Sequence, residues 1–225
     1  MKHIKRIVSK ILTRSKPGYT KGAELVGIPG AFEQKRQFQI SFLKNQGLEP
    51  GYVFIDIGCG VLRGGMPVIE FLDAENYIGI DVNDEALKVA DENVHHENLQ
   101  NKLPQLIHSD GTLGKIDLTK KGDVIWAFSV LIHMTDELVV NCLEFVKKNL
   151  AEEGFFYANV NVGNESDGKW KEYPVKWRPL DWYNQKAKSV GLKLENIGSL
   201  ANFGHHSITD KREDEQVMLK ISHLT

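Results

Sequence analysis

At 225 residues the chain is long enough for one well-buried core, while two full domains would be crowded. With 41% hydrophobic and 26% charged residues it has the composition of a soluble globular protein, and a formal net charge of -2 gives no global pull towards nucleic acid. Cys59 and Cys142 are too few for a disulfide framework and badly spaced for a metal site, so a reducing, cytoplasmic setting is expected, and no apolar run approaches the roughly 20 residues that span a bilayer.

The chain opens on a basic segment, residues 2–16, with Lys2, Lys5, Arg6, Lys10, Arg14 and Lys16 and no acid. Ile4, Ile7, Val8, Ile11 and Leu12 keep the spacing of one helical face, which predicts a basic amphipathic helix. Two roles are open to it: packing on the protein's own body with its lysines in water, or peripheral contact with an anionic membrane surface. It lacks the continuous apolar stretch and cleavage site of a secretory signal. PGYTKGAELVGIPG follows, and its Pro17, Gly18, Gly22, Gly27, Pro29 and Gly30 predict a flexible link. The next stretch, AFEQKRQFQISFLKNQG, sets Phe38 and Phe42 one turn apart.

From residue 51 onward, strand-like and helical patterns alternate. VFIDI (53–57), NYIGID (76–81), PQLIHSD (104–110), DVIWAFSV (123–130) and GFFYANV (154–160) are short and rich in branched and aromatic residues, as strands are. Helices are predicted after the glycines of 58–65, across NDEALKVADENVHHEN, and across TDELVVNCLEFVKKNL, where Leu138, Cys142, Val146 and Leu150 share a stripe. PLDWYNQKAKSVG predicts a last helix closed by Gly191. LKLENIGSL and EQVMLKISHL then follow as two strands with no helix between them. A parallel crossover needs a dozen or more residues, so the final strand should run antiparallel. The expected fold is a doubly wound, mostly parallel, seven-stranded α/β sheet with an antiparallel last strand and helices on both faces.

The first strand runs straight into Gly58, Gly60, Gly64 and Gly65. A glycine turn that opens a helix sets backbone N–H groups and a helix N-terminus beside a ligand. The dinucleotide fingerprint wants glycine or alanine at its sixth position, which here is Arg63, and the Gly-Lys-Ser/Thr of a phosphate loop is absent. Asp56, one residue before the strand's end, would repel a pyrophosphate but attract an ammonium or accept from hydroxyls. The ligand is therefore expected to carry positive charge, which disfavours a nicotinamide-dependent oxidoreductase.

Asp56-Ile57-Gly58-Cys59-Gly60 followed by Leu62-Arg63-Gly64-Gly65 resembles the first motif of the class I S-adenosylmethionine-dependent methyltransferases. More narrowly, it is similar to a bacterial subgroup whose motif continues as leucine-arginine-glycine-glycine. The resemblance covers roughly residues 50 to 225 and implies a Rossmann-like sheet, S-adenosylmethionine as cofactor and S-adenosylhomocysteine as product. It implies that Asp81, about 20 residues past the glycine turn, holds both ribose hydroxyls. It also implies that Asp110, in HSDGT, accepts from the adenine amino group. Read locally, Asp81 could equally cap the helix beginning at NDEAL, and Asp110 could be a plain turn acid. Asp56, Gly58, Cys59, Gly60, Arg63, Asp81, Val82, Asp110, Gly111 and Ser129 are thus the candidate cofactor contacts. Cys59 is expected only as a small residue beneath the cofactor, and Arg63 has a local carboxylate as its alternative partner. The family also implies that residues 1–48 form a helical extension, a lid over a methyltransferase domain of residues 49–225.

In an open parallel sheet, ligands bind beyond the carboxyl ends of the strands, so the loops there should hold the acceptor. His133, after the fourth strand, is the candidate general base, because imidazole titrates near neutrality; its alternative is to pack or hydrogen-bond ahead of the helix cap Thr135. Trp170, Tyr173, Trp177, His205 and His206 crowd the same rim as candidate acceptor contacts, with a solvent-facing alternative for the two histidines. The family's nucleic-acid and protein-amide branches carry Asn/Asp-Pro-Pro-Tyr/Phe where this chain reads Ala127-Phe128-Ser129-Val130. No cluster of Asp and Asn suggests a metal site. The expected activity is methyl transfer to a small molecule, at a hydroxyl oxygen, with no nucleic-acid partner and the oligomeric state left open. The alternatives are a non-catalytic S-adenosylmethionine-binding regulatory or membrane-associated protein, and the nicotinamide oxidoreductase already disfavoured.

Overall fold

A computed structural model describes residues 21–27, 29–171 and 173–224; the basic helix expected over 2–16, with Pro17 and Gly18, lies outside the described residues. The strands are β1 (Phe54–Ile57), β2 (Tyr77–Asp81), β3 (Gln105–His108), β4 (Gly122–Ala127), β5 (Leu150–Val160), β6 (Gly168–Trp170), β7 (Tyr173–Val175), β8 (Leu192–Ser199) and β9 (Val217–His223). The helices are α1 (Phe32–Asn45), α2 (Gly65–Phe71), α3 (Asp84–His96), α4 (Asp136–Asn149) and α5 (Leu180–Ser189). Seven strands form one sheet in the order β3-β2-β1-β4-β5-β9-β8, and β6 and β7 form a separate hairpin. The pairs from β3 to β5 are parallel, and β9 runs antiparallel to both β5 and β8, as the missing crossover requires.

Local chemistry sets the element ends. Asn83 accepts from the N–H groups of Glu85 (2.9 Å) and Ala86 (3.1 Å) and so caps α3, while Thr135 caps α4 through the Leu138 N–H. β5 begins at Leu150 rather than at Gly154, because α4 ends at Asn149 and the chain enters the strand with Leu150 already extended (φ -76, ψ 135).

Strand alternation divides the core between the two faces of the sheet. Ile55, Ile57, Ile78, Ile80 and Ile125 face α4 and α5, meeting Val139, Cys142, Val146, Tyr183 and Ala187. Phe54, Val124, Trp126 and Tyr157 face the other way, onto Met66 and Ile69 of α2, Ala90 and Val94 of α3, and Phe38, Phe42 and Leu43 of α1. Asp56 alternates with Ile55 and Ile57 and therefore lies on this second face. The Phe42 ring sits 5.4 Å from Trp126, 5.5 Å from Tyr157 and 5.0 Å from Phe203, and the Trp126 indole donates to Gln39 (3.0 Å). Residues 32–45 are thus built into the core of the sheet. No helix among the described residues is long and apolar enough to cross a membrane.

The connection after β5 is more ordered than its composition suggests. Arg178 pins it to the start of α4, donating to Asp136 (2.8 Å) and to the Met134 carbonyl (2.7 Å). The β6–β7 hairpin stands in this connection, just ahead of Arg178. Because α1 contributes whole aromatic side chains to the core, Phe42→Ala should cost about 3–5 kcal/mol. Chemical denaturation checks this, and a loss under about 1 kcal/mol would mean that α1 is only a detachable cover.

Candidate functional site

The glycine turn is shaped from both sides. Gly58 (φ 74) and Gly60 (φ 54) adopt left-handed backbone, and a Cβ would drive Gly58 into Val130 and Gly60 into Val26. The Gly58 N–H donates to the Ile80 carbonyl at 2.7 Å, and the Gly60 N–H to Asp81 Oδ2 at 2.7 Å. Gly64 and Gly65 serve closeness rather than backbone freedom: a side chain on the first would collide with Gln39 of α1, and on the second with the Tyr77 hydroxyl.

That hydroxyl donates to the buried Asp56 at 2.7 Å. Burial lifts the Asp56 carboxyl to about 7, against the Tyr77 hydrogen bond, and the nearby Asp81 charge pushes the same way. Arg63 donates through Nη1 to the Val26 carbonyl (2.7 Å), while its buried Nε has no hydrogen-bond partner among the described residues. Burial lowers this guanidinium to about 10. Asp56 and Arg63 border a small void of about 30 Å³ beneath the turn, together with Cys59. Opposite charges thus flank a space of roughly water or ammonium size.

Above the turn lies a cleft of about 700 Å³ at the carboxyl ends of the strands. Gly58, Gly60, Arg63, Asp81, Val82, Gly111 and Ser129 line it, as do His133, Trp170, Tyr173 and Trp177. Asp81 closes β2 and accepts from the N–H groups of Gly60 and Asn83 (2.9 Å), so the helix cap is Asn83 and not Asp81. Burial raises the Asp81 carboxyl. Asp110 does not line the cleft: its exposed carboxylate is engaged by Lys115 (2.6 Å) and Thr112, which hold it below the usual carboxylate range. The Cys59 sulfur turns to the sheet, where a Cβ on Gly79 would lie only 2.9 Å from it, and burial pushes the thiol up.

His133 ends a 3-10 turn, Leu131–His133, and places Nδ1 2.7 Å from the Pro174 carbonyl of β7. A carbonyl can only accept, so Nδ1 carries the proton and Nε2 the lone pair. Burial pulls the His133 pKa below its ordinary value, which keeps the ring neutral near pH 7. The rings of Trp170 and Tyr173 lie 5.8 and 5.9 Å away.

A run of buried amides ties this loop together. Ser129, in left-handed backbone (φ 59), donates its N–H to Asn159 (2.7 Å); Asn159 donates to Gln216 (2.6 Å), Gln216 to Asn161 (3.0 Å), and Asn161 to the Lys176 carbonyl (3.1 Å). Lys176 returns to the loop by donating its N–H to the Ile132 carbonyl at 2.8 Å. Sequence reasoning marked Ser129 but missed Asn159, Gln216, Asn161 and Lys176. Asn159 and Asn161, spaced by two at the end of an apolar strand, were a readable sign of one polar face; Gln216 and the cleft-lining Lys35 carried none.

Residues 55–156 match the family model described as a methyltransferase domain. The chain is similar in structure to a magnesium protoporphyrin IX methyltransferase from Synechocystis PCC 6803 solved with bound S-adenosylmethionine, at TM-score 0.62 and 16% identity, covering 85% of this chain and 79% of that one. An S-adenosylmethionine-dependent methyltransferase from Clostridium acetobutylicum ATCC 824 is similar at TM-score 0.64 and 12% identity, covering 91% and 96%. The CcbJ methyltransferase from Streptomyces caelestis is similar at TM-score 0.63 and 13% identity, covering 84% and 89%. The fold is that of the class I methyltransferases.

In this methyltransferase fold the family match stops within β5, short of the β6–β7 hairpin and the β8–β9 loop. Two expectations for that loop are corrected. His205 is buried away from the cleft, its Nδ1 2.6 Å from Asp214 and its ring edge-on to Phe38 at 4.8 Å, because α1 packs over it. His206 is exposed and does not line the cleft either. The loop reaches the cleft instead through Glu213, paired with Lys35 at 2.9 Å, and through Gln216. Gln216→Met would leave the Asn159 donor and the Asn161 acceptor unpaired in a buried place, at roughly 1–3 kcal/mol each. Denaturant titration should therefore show a loss of about 2–6 kcal/mol; a change under about 0.5 kcal/mol would mean that water replaces the amide.

Proposed function

We propose that the chain is an S-adenosylmethionine-dependent methyltransferase that methylates a hydroxyl oxygen of a small molecule, with His133 as general base. The observation that carries this reading is one cleft holding both the Asp81 carboxylate at the end of β2 and a histidine whose Nδ1–H is committed to Pro174. The residues beneath the turn fit the cofactor's amino-acid end. Asp56 suits its ammonium, and Arg63, with a buried Nε unpartnered among the described residues, suits its carboxylate. Asp81 would accept from the ribose hydroxyls, and the apolar Val82 would flank the base.

When bound, S-adenosylmethionine supplies a methyl group on a sulfonium, open to in-line attack. What remains for the chain is alignment and one proton. His133 Nε2 can take the hydroxyl proton, and Pro174 then stabilises the imidazolium through Nδ1–H. The Synechocystis neighbour is named for a porphyrin acceptor, which supports a small molecule in this cleft as well.

Calorimetry should show S-adenosylmethionine and S-adenosylhomocysteine binding to the purified chain. Asp81→Ala should weaken both by about 2–4 kcal/mol through loss of two charge-assisted hydrogen bonds, and unchanged affinity would remove Asp81 from the site. Against labelled cofactor and fractionated cell extract, His133→Ala should lower turnover by about 10²–10⁴ with cofactor affinity nearly intact. The base must be neutral and its pKa lies below the ordinary histidine value, so turnover should stay level through neutral pH and fall only on the acid side of about 6.5. A loss in His133→Ala under about tenfold would leave the residue a purely structural part.

A further inference from the structure

Resting on the reading of the site as an oxygen methyltransferase, we propose that the methyl acceptor is a phenol, a flat aromatic ring whose hydroxyl meets His133 while the ring lies against Trp170 and Tyr173. These two rings stand 6.2 Å apart with only 20° between their planes, on either side of the β6–β7 turn. Trp177 joins them on the cleft wall, and Ile132, Met134 and Leu138 make the adjoining surface apolar. Lys171 ties this wall to the N-terminal segment: its ammonium lies 4.7 Å over the Trp170 ring and donates to the Glu24 carbonyl at 2.7 Å.

Two independent features of the cleft select an aromatic hydroxyl. The first is packing. Aromatic walls favour a flat aromatic partner in offset or edge contact, worth about 0.5–1.5 kcal/mol per ring pair beyond area burial. A polyol such as a sugar would have to desolvate several hydroxyls against these apolar groups, and the buried amides on the cleft, Asn161 and Gln216, are already committed to each other, to Lys176 and to Asn159. The second is proton affinity. A phenolic hydroxyl has a pKa of about 10, whereas an alkyl hydroxyl lies near that of water, about 16. A neutral imidazole of lowered basicity can draw off the first proton far more readily than the second.

The step balances. The phenol O–H bond breaks, and its proton goes to His133 Nε2. The oxygen forms a bond to the methyl carbon as the carbon–sulfur bond breaks. That electron pair returns to sulfur, so the sulfonium becomes the thioether of S-adenosylhomocysteine.

The test uses para-ethylphenol and its saturated counterpart, ethylcyclohexanol, which are close in size and differ in flatness and acidity. With the full chain saturated in S-adenosylhomocysteine, calorimetry should show para-ethylphenol binding at least about tenfold tighter. With labelled S-adenosylmethionine, label should enter the ether of the phenol and not the alcohol. Trp170→Leu should raise KM for the phenol about fivefold with kcat within about twofold, and Trp170→Phe should restore most of it. Equal or tighter binding of the alcohol, or no phenol binding by protein that does bind S-adenosylhomocysteine, overturns the phenol while leaving methyl transfer standing. Failure to bind either form of the cofactor overturns the underlying reading, and the phenol falls with it.

Discussion

Everything at the cleft depends on how closely three chain segments approach the turn between β1 and α2. Val130 from the loop after β4 presses on Gly58, Val26 from the N-terminal segment presses on Gly60, and Asp81 from the end of β2 accepts the Gly60 N–H. Neither valine contact survives a Cβ in the turn. Because they converge on one backbone stretch, the N-terminal segment, the β2 carboxylate and the β4 loop are held in mutual register before any ligand arrives. The second pair of glycines extends the same constraint outward, since Gly64 and Gly65 let Gln39 and the Tyr77 hydroxyl reach the start of α2.

Close packing of this kind buries charge. Asp56 lies beneath the turn with one hydroxyl donor, and Arg63 beside it keeps an unpartnered Nε among the described residues. Burial works against both, raising the acid to about 7 and lowering the base to about 10. A fold optimised for stability alone would place apolar groups there. A ligand carrying both an ammonium and a carboxylate, as proposed for this site, would relieve the burial of each.

On the side of the cleft that holds His133 the organising element is a relay of neutral amides rather than charge. Ser129, Asn159, Gln216, Asn161 and Lys176 form a directional series of hydrogen bonds joining the turn after β4, the ends of β5 and β9, and the hairpin that carries Pro174. Each member donates onward to the next, so the series holds a left-handed Ser129 and orients the hairpin on which the His133 tautomer depends. Buried and satisfied, such a network adds rigidity without introducing a charge beside His133.

By itself the sequence determined the chain order of the seven sheet strands and the helices between them, the antiparallel last strand and the glycine turn, but not the β6–β7 hairpin. Each of these rests on a local rule: periodicity, crossover length, and residues able to adopt left-handed backbone. It also marked Asp81 and His133, because the ends of parallel strands are legible as polar residues following an apolar run. Only the tertiary structure decided which polar side chains share the cleft. His205 reads as a rim residue, yet Phe38, far away in the chain, covers it, and Asp110 reads as a cleft acid, yet Lys115 and Thr112 engage it. Gln216 had no signature at all, since an amide is neutral in every local pattern and acquires its role from two asparagines more than fifty residues earlier. A side chain's contacts are set by what packs across from it, and that is a property of the folded chain rather than of neighbouring residues.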